Sequence, residues 1–448
     1  MTRQDQPCRP ARRGGAAARR RLAVVSVGVA QVLLASQARA DIYNMLIPPV
    51  LPDDYARDRN VAVLEQPTPD FDPVGVQVGS FRVNPQLTTT AGATSNVFEN
   101  DDNRKSDAYL ALLPYIHVGS DWSRHAVTLD TGAEVRRYIG NPLVNKNNWY
   151  ANLQGTIEAN DRFKIVLDSD VGHYFNAPYA SDAASTLELL LNYTQFIERA
   201  TAVYTAGRVR LTAATSYVTF SYSPLVQAGQ PTEAETFRNQ HVVAGALHGE
   251  YALSPSVAAF TEFNADSTSY PVALPDGTPN RNSNGQRILA GVNFDVAGLM
   301  RGQIGLGYTR RSYAAGIYSR VSGYSYQAKV DVFPNELTTA TISASRTLQD
   351  DTNGGSDPYF DSRVSLEVDH SFMENFIASA NVQRIEQTIV GVDSRRQLIA
   401  FGTNATYRFT RSLSIAAAIN DNISHKTGAN FGTPFSEVYG TLSVTIRR

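Results

Sequence analysis

The sequence is poor in the residues that mark disulfide-stapled, redox-active or helical membrane proteins. Its 448 residues include one cysteine, four methionines and two tryptophans. A single thiol leaves no intrachain disulfide and no paired-cysteine metal or redox motif. Beyond the N-terminal segment no run of about 18 apolar residues occurs, so the chain is not a polytopic helical membrane protein. Charged residues make up only 18%, too few for a coiled coil, while 42% hydrophobic residues are too many for disorder. Neither sign of charge dominates, with 40 Lys and Arg against 42 Asp and Glu. The 22 tyrosines and 19 phenylalanines are what is abundant instead, and they favour strands.

Residues 1–40 carry the three parts of an export signal: an Arg-rich start, an apolar stretch from Leu22 to Ala35, and the small-x-small site Ala38-Arg39-Ala40. The stretch is too short for a membrane anchor, so cleavage before Asp41 is expected. Arg19-Arg20-Arg21-Leu22 only faintly suggests a twin-arginine signal, and the general secretory route suits a barrel that must travel unfolded. Cleavage removes Cys8 and leaves 32 basic and 41 acidic side chains, a net charge of −9. A nucleic-acid partner is therefore not expected.

From Asp41 to Pro73 the chain is rich in Pro and Asp and lacks periodicity, which reads as an extended periplasmic tail. From Val74 to the end the period is two. Tyr324, Tyr326, Ala328, Val330 and Val332 alternate with Ser325, Gln327, Lys329 and Asp331, and Leu442, Val444 and Ile446 alternate with Ser443, Thr445 and Arg447. Short turns fall near 121–124, 160–162, 206–208, 254–255, 297–299, 334–336, 374–375 and 410–412. Longer polar loops, near 99–106, 142–147, 178–189, 223–238, 271–285, 314–322, 350–359, 388–396 and 425–434, lie between them. Eight turns interleaved with nine loops predict an all-β fold: a closed antiparallel transmembrane barrel of about 18 strands over 74–448, with 16 as the alternative. Strands of about 10 to 15 residues and an export signal count against a soluble sandwich, whose strands average about 5 to 6.

Closure puts the apolar face against lipid and the polar face in a lumen, which at this strand count leaves a water-filled channel unless plugged. Alternation assigns to the lumen the pore-lining candidates Asp130, Glu134, Arg136, Lys164, Asp168, Glu250, Arg287, Asp295, Arg301, Lys329, Asp331, Glu367, Asp369 and Arg408. Such charges set an ion preference or simply pair across neighbouring strands. Tyr109, Tyr115, Tyr138 and Phe260 fall on the same side, where an aromatic track would suit sugars. Trp122, Trp149, Tyr150, Tyr407 and Phe409 sit near strand ends, as an interfacial girdle requires. No enzyme is expected: the seven His are scattered, and in His370-Ser371 and Ser424-His425 the neighbours point to opposite faces. Glu99 to Asp102 and Asp350, Asp351 and Asp357 are acidic loop clusters, read as solvated loops with divalent-ion binding as the alternative. No cofactor or metal is implied.

One stretch is more specific. Asp72-Pro73-Val74-Gly75, then Gly79-Ser80-Phe81-Arg82-Val83-Asn84-Pro85, then Ser95-Asn96-Val97-Phe98, with Pro114 and Asp121-Trp122-Ser123-Arg124-His125, resembles the putative β-barrel porin type 2 family from about Asp72 to Arg448. The resemblance implies an outer-membrane barrel without catalytic residues, often encoded beside exopolysaccharide genes. The expected function is thus a pore for passive diffusion of hydrophilic solutes, serving exopolysaccharide export in one version. A structural or adhesive barrel with no conductance is the alternative. Expected partners are outer-membrane lipid and lipopolysaccharide, the barrel assembly machinery and, in the export version, polysaccharide export components. The chain ends Ile446-Arg447-Arg448 without the terminal aromatic common in such barrels.

Overall fold

The computed structural model describes residues 61–175, 190–225, 234–296, 298–350, 358–428 and 433–448. The expected signal and residues 41–60 lie outside the described residues. Nineteen strands follow one another: β1 Val76–Val78, β2 Phe81–Thr94, β3 Asp107–Ser120, β4 Ala126–Tyr138, β5 Lys146–Asn160, β6 Phe163–Phe175, β7 Asn192–Ala206, β8 Val209–Tyr222, β9 Gln240–Ser254, β10 Val257–Ser269, β11 Ser283–Val296, β12 Met300–Tyr313, β13 Val321–Asn335, β14 Thr338–Gln349, β15 Tyr359–Met373, β16 Phe376–Ile389, β17 Arg395–Arg408, β18 Leu413–Thr427 and β19 Phe435–Arg447. Each of β2 to β19 pairs antiparallel with the next, and β19 returns to β2, from Tyr439 opposite Thr94 to Arg447 opposite Gln86. Eighteen strands therefore close a barrel, and β1 is a short hairpin arm on β2. The only helical pieces among the described residues are three single 3₁₀ turns, at Val63–Glu65, Pro142–Val144 and Thr236–Arg238.

Glycine makes the tightest connections possible. Gly207, at φ +57°, opens the two-residue turn between Ala206 and Val209, and Gly79, at φ +60°, does the same between Val78 and Phe81. A positive φ at the first turn residue matches the twist of the flanking strands.

Burial is inverted relative to a soluble protein. Leu306, Leu247, Ile446 and Leu110 are at least 60% exposed, whereas Asn264, Glu262, Arg287 and Gln327 are at most 3% exposed. Exposed apolar and buried polar positions alternate along a strand, as with Leu247 and His248 on β9 or Arg287 and Ile288 on β11, so the outward face is a lipid-facing apolar band and the inward face is polar. Phe372, Phe376, Tyr407 and Phe409 form a chain of aromatics at the short-turn end, with centroids 5.5, 6.3 and 4.8 Å apart. Phe81 and Trp122, 5.6 Å apart, continue the girdle there. Trp149 is outward and 44% exposed. Tyr150, expected in the girdle, instead shares the lumen face with Gly132, its cross-strand neighbour: a Cβ on Gly132 would meet the Tyr150 ring at 2.9 Å.

The inner face also departs from uniform polarity. On β7 to β9, Tyr193, Ile197, Val218, Phe220, Tyr222 and Val242 point inward and pack with Leu191 and Leu225. These strands carry apolar residues on both faces, so alternation alone hides the cluster. At the long-loop end, Val97 and Phe98 pack with Val144 and Leu190, tying connections on either side of β3 and β4 together.

The topology places the short turns on one side and the long loops on the other. Protease applied to intact cells is expected to cut in the long loops and to spare Glu374-Asn375; cleavage there would invert the orientation. Leu306 lies midway along β12 on the lipid face, so Leu306→Arg should lower unfolding stability in lipid vesicles by about 2–4 kcal/mol. A change near zero would contradict a lipid-facing Leu306.

Candidate functional site

The lumen is assembled by the register of the ladders. Inward positions recur every second residue, and each faces an inward position on the next strand, so polar side chains meet in rows. On β9 to β11, His248 Nδ1 is 3.0 Å from Glu262 and its Nε2 is 3.0 Å from Glu250. Arg287 donates to Glu262 at 3.2 Å, Asn264 donates to the same carboxylate at 2.7 Å, and Phe260 stacks on the His248 ring at 5.0 Å. Because Arg287 and Glu262 are each about 1% exposed, this wall is packed and not washed by solvent.

The other candidates fall on the same inner face. Glu134 pairs with Arg136 at 2.5 Å and accepts from Asn148 at 2.8 Å, while Arg136 lies over the Tyr109 ring at 4.4 Å. Asp130 accepts from the Tyr115 hydroxyl and lies 2.8 Å from His117 Nδ1. Asp168 is 3.6 Å from Arg199 and accepts from Asn152 at 3.1 Å. Arg301 and Asp331 pair at 3.0 Å, and Ser379 donates to Asp369 at 2.5 Å. Lys164, Asp295, Lys329 and Glu367 stand on the inner faces of β6, β11, β13 and β15, in register with inward Val203, Arg301, Gln303 and Asn381. Arg408 closes the inner row of β17 at the short-turn end.

Sequence reading missed Glu262 and Asp266, and the link from Arg311 to Asp350. Glu262 and Asp266 share parity with Phe260, and that alternation was the available signal. Arg311 bridges Asp266 and Asp350, each at 3.1 Å, and Tyr313 donates to Asp350 at 2.6 Å. Asp350, expected in a solvated acidic loop, is thus tied to the barrel; Asp351 and Asp357 lie outside the described residues. Tyr109 and Phe260 are each 4% exposed, so they are packing groups and not an open sugar track.

Solvent reaches a different part of the wall. Asn381 and Asn404 on β16 and β17, and Gln154, Glu158 and Lys164 on β5 and β6, are exposed on inward positions. Gly402 leaves room for them: a Cβ there would meet the amide oxygens of Asn381 at 2.5 Å and Asn420 at 2.7 Å. The lumen therefore has a packed, ion-paired side on β9 to β13 and a solvated amide-lined side on β16 to β18 and β5 to β6.

Residues 61–73, part of the stretch expected as an extended tail, are docked along the short-turn end of this inner wall. Thr339 accepts from the Val63 amide at 2.9 Å, Glu65 pairs with Arg301 at 2.8 Å, and Gln66 donates to the Glu336 carbonyl at 2.7 Å. Arg408 donates to Thr68 at 2.6 Å and Arg447 to the Phe71 carbonyl at 3.0 Å. The strap runs from β12 to β19 and uses charged groups that would otherwise face the mouth.

A family profile described as "Putative beta-barrel porin 2" matches residues 68–448, and the chain belongs to that family. It is an outer-membrane barrel pore and not an enzyme. No curated protein matches it. Among solved structures, Pseudomonas aeruginosa OccK2 (OpdF) is similar over 82% of this chain and 98% of its own, at 10% identity and a TM-score of 0.46. The "Copper transporter OprC" is similar over 83% and 81%, at 10% identity and 0.47. Acinetobacter baumannii OccAB3 is similar over 83% and 100%, at 9% identity and 0.44.

The strap contact is open to a direct check. In a chain with Cys8 replaced, Val63→Cys and Thr339→Cys bridged by a short thiol cross-linker should give a lower single-channel conductance than the same chain unbridged. Equal conductance would show that residues 61–73 do not narrow the mouth.

Proposed function

We propose that this barrel passes small hydrophilic solutes by passive diffusion along the solvated side of its lumen, with the 61–73 strap setting the width of the periplasmic mouth. The observation that carries the reading is the inward, exposed amide wall of Asn381 and Asn404 inside a closed ladder. Amide side chains exchange hydrogen bonds with water and with polar solutes at little net cost, so they favour passage over retention.

The charged rows point to weak ion selectivity. Arg287 with Glu262, Arg301 with Asp331, Arg136 with Glu134 and Arg311 with Asp266 are mutually neutralised within the wall. Paired charges at these distances leave little net field for a passing ion. No observation favours exopolysaccharide as cargo: Tyr109 and Phe260 are buried in the wall, and the half-buried Tyr115 and Tyr138 are held there by Asp130 and by the Tyr109 ring, so they form no open stacking track.

Planar-bilayer recording on the purified protein tests the proposal. Stable conductance with a reversal potential near zero in a salt gradient is expected. A barrel silent at every voltage would favour a structural or adhesive role, and a strong preference for one ion would contradict the neutralised wall.

A further inference from the structure

The lipid-facing surface carries eight charged side chains on its strands, and they are unevenly placed. Four of the five arginines lie on β12 to β17: Arg310, Arg346, Arg384 and Arg395. One carboxylate, Glu386, stands among them; the remaining charges are Arg137 on β4, Glu198 on β7 and Asp421 on β18.

Arg346 and Arg384 sit at one height, and Arg395 stands above them as the first residue of β17 at the long-loop end. Arg346 and Arg384 are each eight residues above the first residue of their strands, at Thr338 and Phe376, where the periplasmic girdle begins. At about 3.4 Å per residue and a tilt of about 40°, that is about 21 Å, close to the roughly 25 Å height of the apolar band. Beneath them Ile342, Val364, Leu366 and Phe401 present 40–50% of their surface to lipid. The Arg346 and Arg384 guanidinium groups therefore emerge where acyl chains end and headgroups begin, with Arg395 above them at headgroup level on the long-loop side.

Their geometry is prepared for an anion. Arg346 lies between the rings of Tyr324 and Phe360, 4.2 Å from each centroid, and donates to Ser362 at 3.0 Å. This sandwich holds a flat cation in place on the surface, where a free arginine would lose rotamer entropy on binding. Arg384 and Arg395 share the single carboxylate of Glu386, at 2.6 and 3.7 Å, and remain 55% and 53% exposed. One acid cannot neutralise three cations.

We propose that the outer face of β14 to β17 is a binding site for a phosphorylated glycolipid of the outer leaflet, with Arg346, Arg384 and Arg395 taking its phosphates and the apolar band below taking its acyl chains. Arginine suits this role because its planar fork meets phosphate oxygens two at a time. The site rests on the outer-membrane placement and orientation of the barrel and not on what the lumen conducts.

The test uses full-length protein and phosphatidylcholine vesicles containing lipid A, dephosphorylated lipid A, or neither, with inorganic phosphate added separately. Wild type should bind lipid A vesicles at least about tenfold more tightly than either other vesicle, with no competition from millimolar phosphate. A chain with Arg346→Gln, Arg384→Gln and Arg395→Gln should lose that preference while keeping wild-type conductance, which separates this proposal from the channel reading. Glu386→Gln, which removes the competing carboxylate, should tighten binding to lipid A. Equal binding to both lipids, competition by free phosphate, or an unchanged preference in the triple variant or in Glu386→Gln would overturn the assignment.

Discussion

In a lipid bilayer an unpaired backbone amide or carbonyl has no water to turn to, and this constraint organises the whole molecule. A spanning sheet must close, so β19 has to meet β2, and their nine-pair ladder from Tyr439 to Arg447 removes both edges at once. Closure then fixes what each side chain faces. It turns a simple alternation into an outer apolar band and an inner polar wall, and it leaves turns and loops to opposite ends.

The inner wall shows what happens when many polar groups are enclosed together. Where rows of Arg, Glu, His and Asn coincide on β9 to β11, they satisfy one another and exclude water, as with Arg287, Glu262 and His248. Where the rows are short amides beside a glycine, as around Gly402, they remain wet. Packed and solvated walls thus occupy different sides of one barrel. The docked 61–73 strap adds a third element, since Glu65 draws Arg301 toward itself at the mouth.

Much of this was legible beforehand, because period two and turn chemistry are local signals. The eight short turns and the side of the wall taken by Asp130, Arg287 or Asp331 follow from counting residues in twos. The strap's partners were not legible: Val63 meets Thr339 across 276 residues, and no periodicity announces such a contact. Tyr150 was placed at the interface because it lies near a strand end, yet it and its neighbour Trp149 face opposite ways. The inward cluster of Ile197, Val218 and Phe220 escaped for a related reason, since apolar residues on both faces erase the alternation. Pairing partners such as Glu262 for Arg287 depend on register between strands, which the sequence carries only through the fold.

The central claim is that adjacent residues of β16 and β17 see water on one side and lipid on the other. Single cysteines at Asn381 and Asn404, compared with Val382 and Thr403, test it in a chain lacking Cys8. A membrane-impermeant thiol reagent should modify Asn381→Cys and Asn404→Cys rapidly and reduce the single-channel current, while Val382→Cys and Thr403→Cys react only with a lipid-soluble reagent and leave the current unchanged. Equal reactivity at all four positions, or block from the Val382 and Thr403 pair, would contradict a water-filled lumen lined by the Asn381 and Asn404 face.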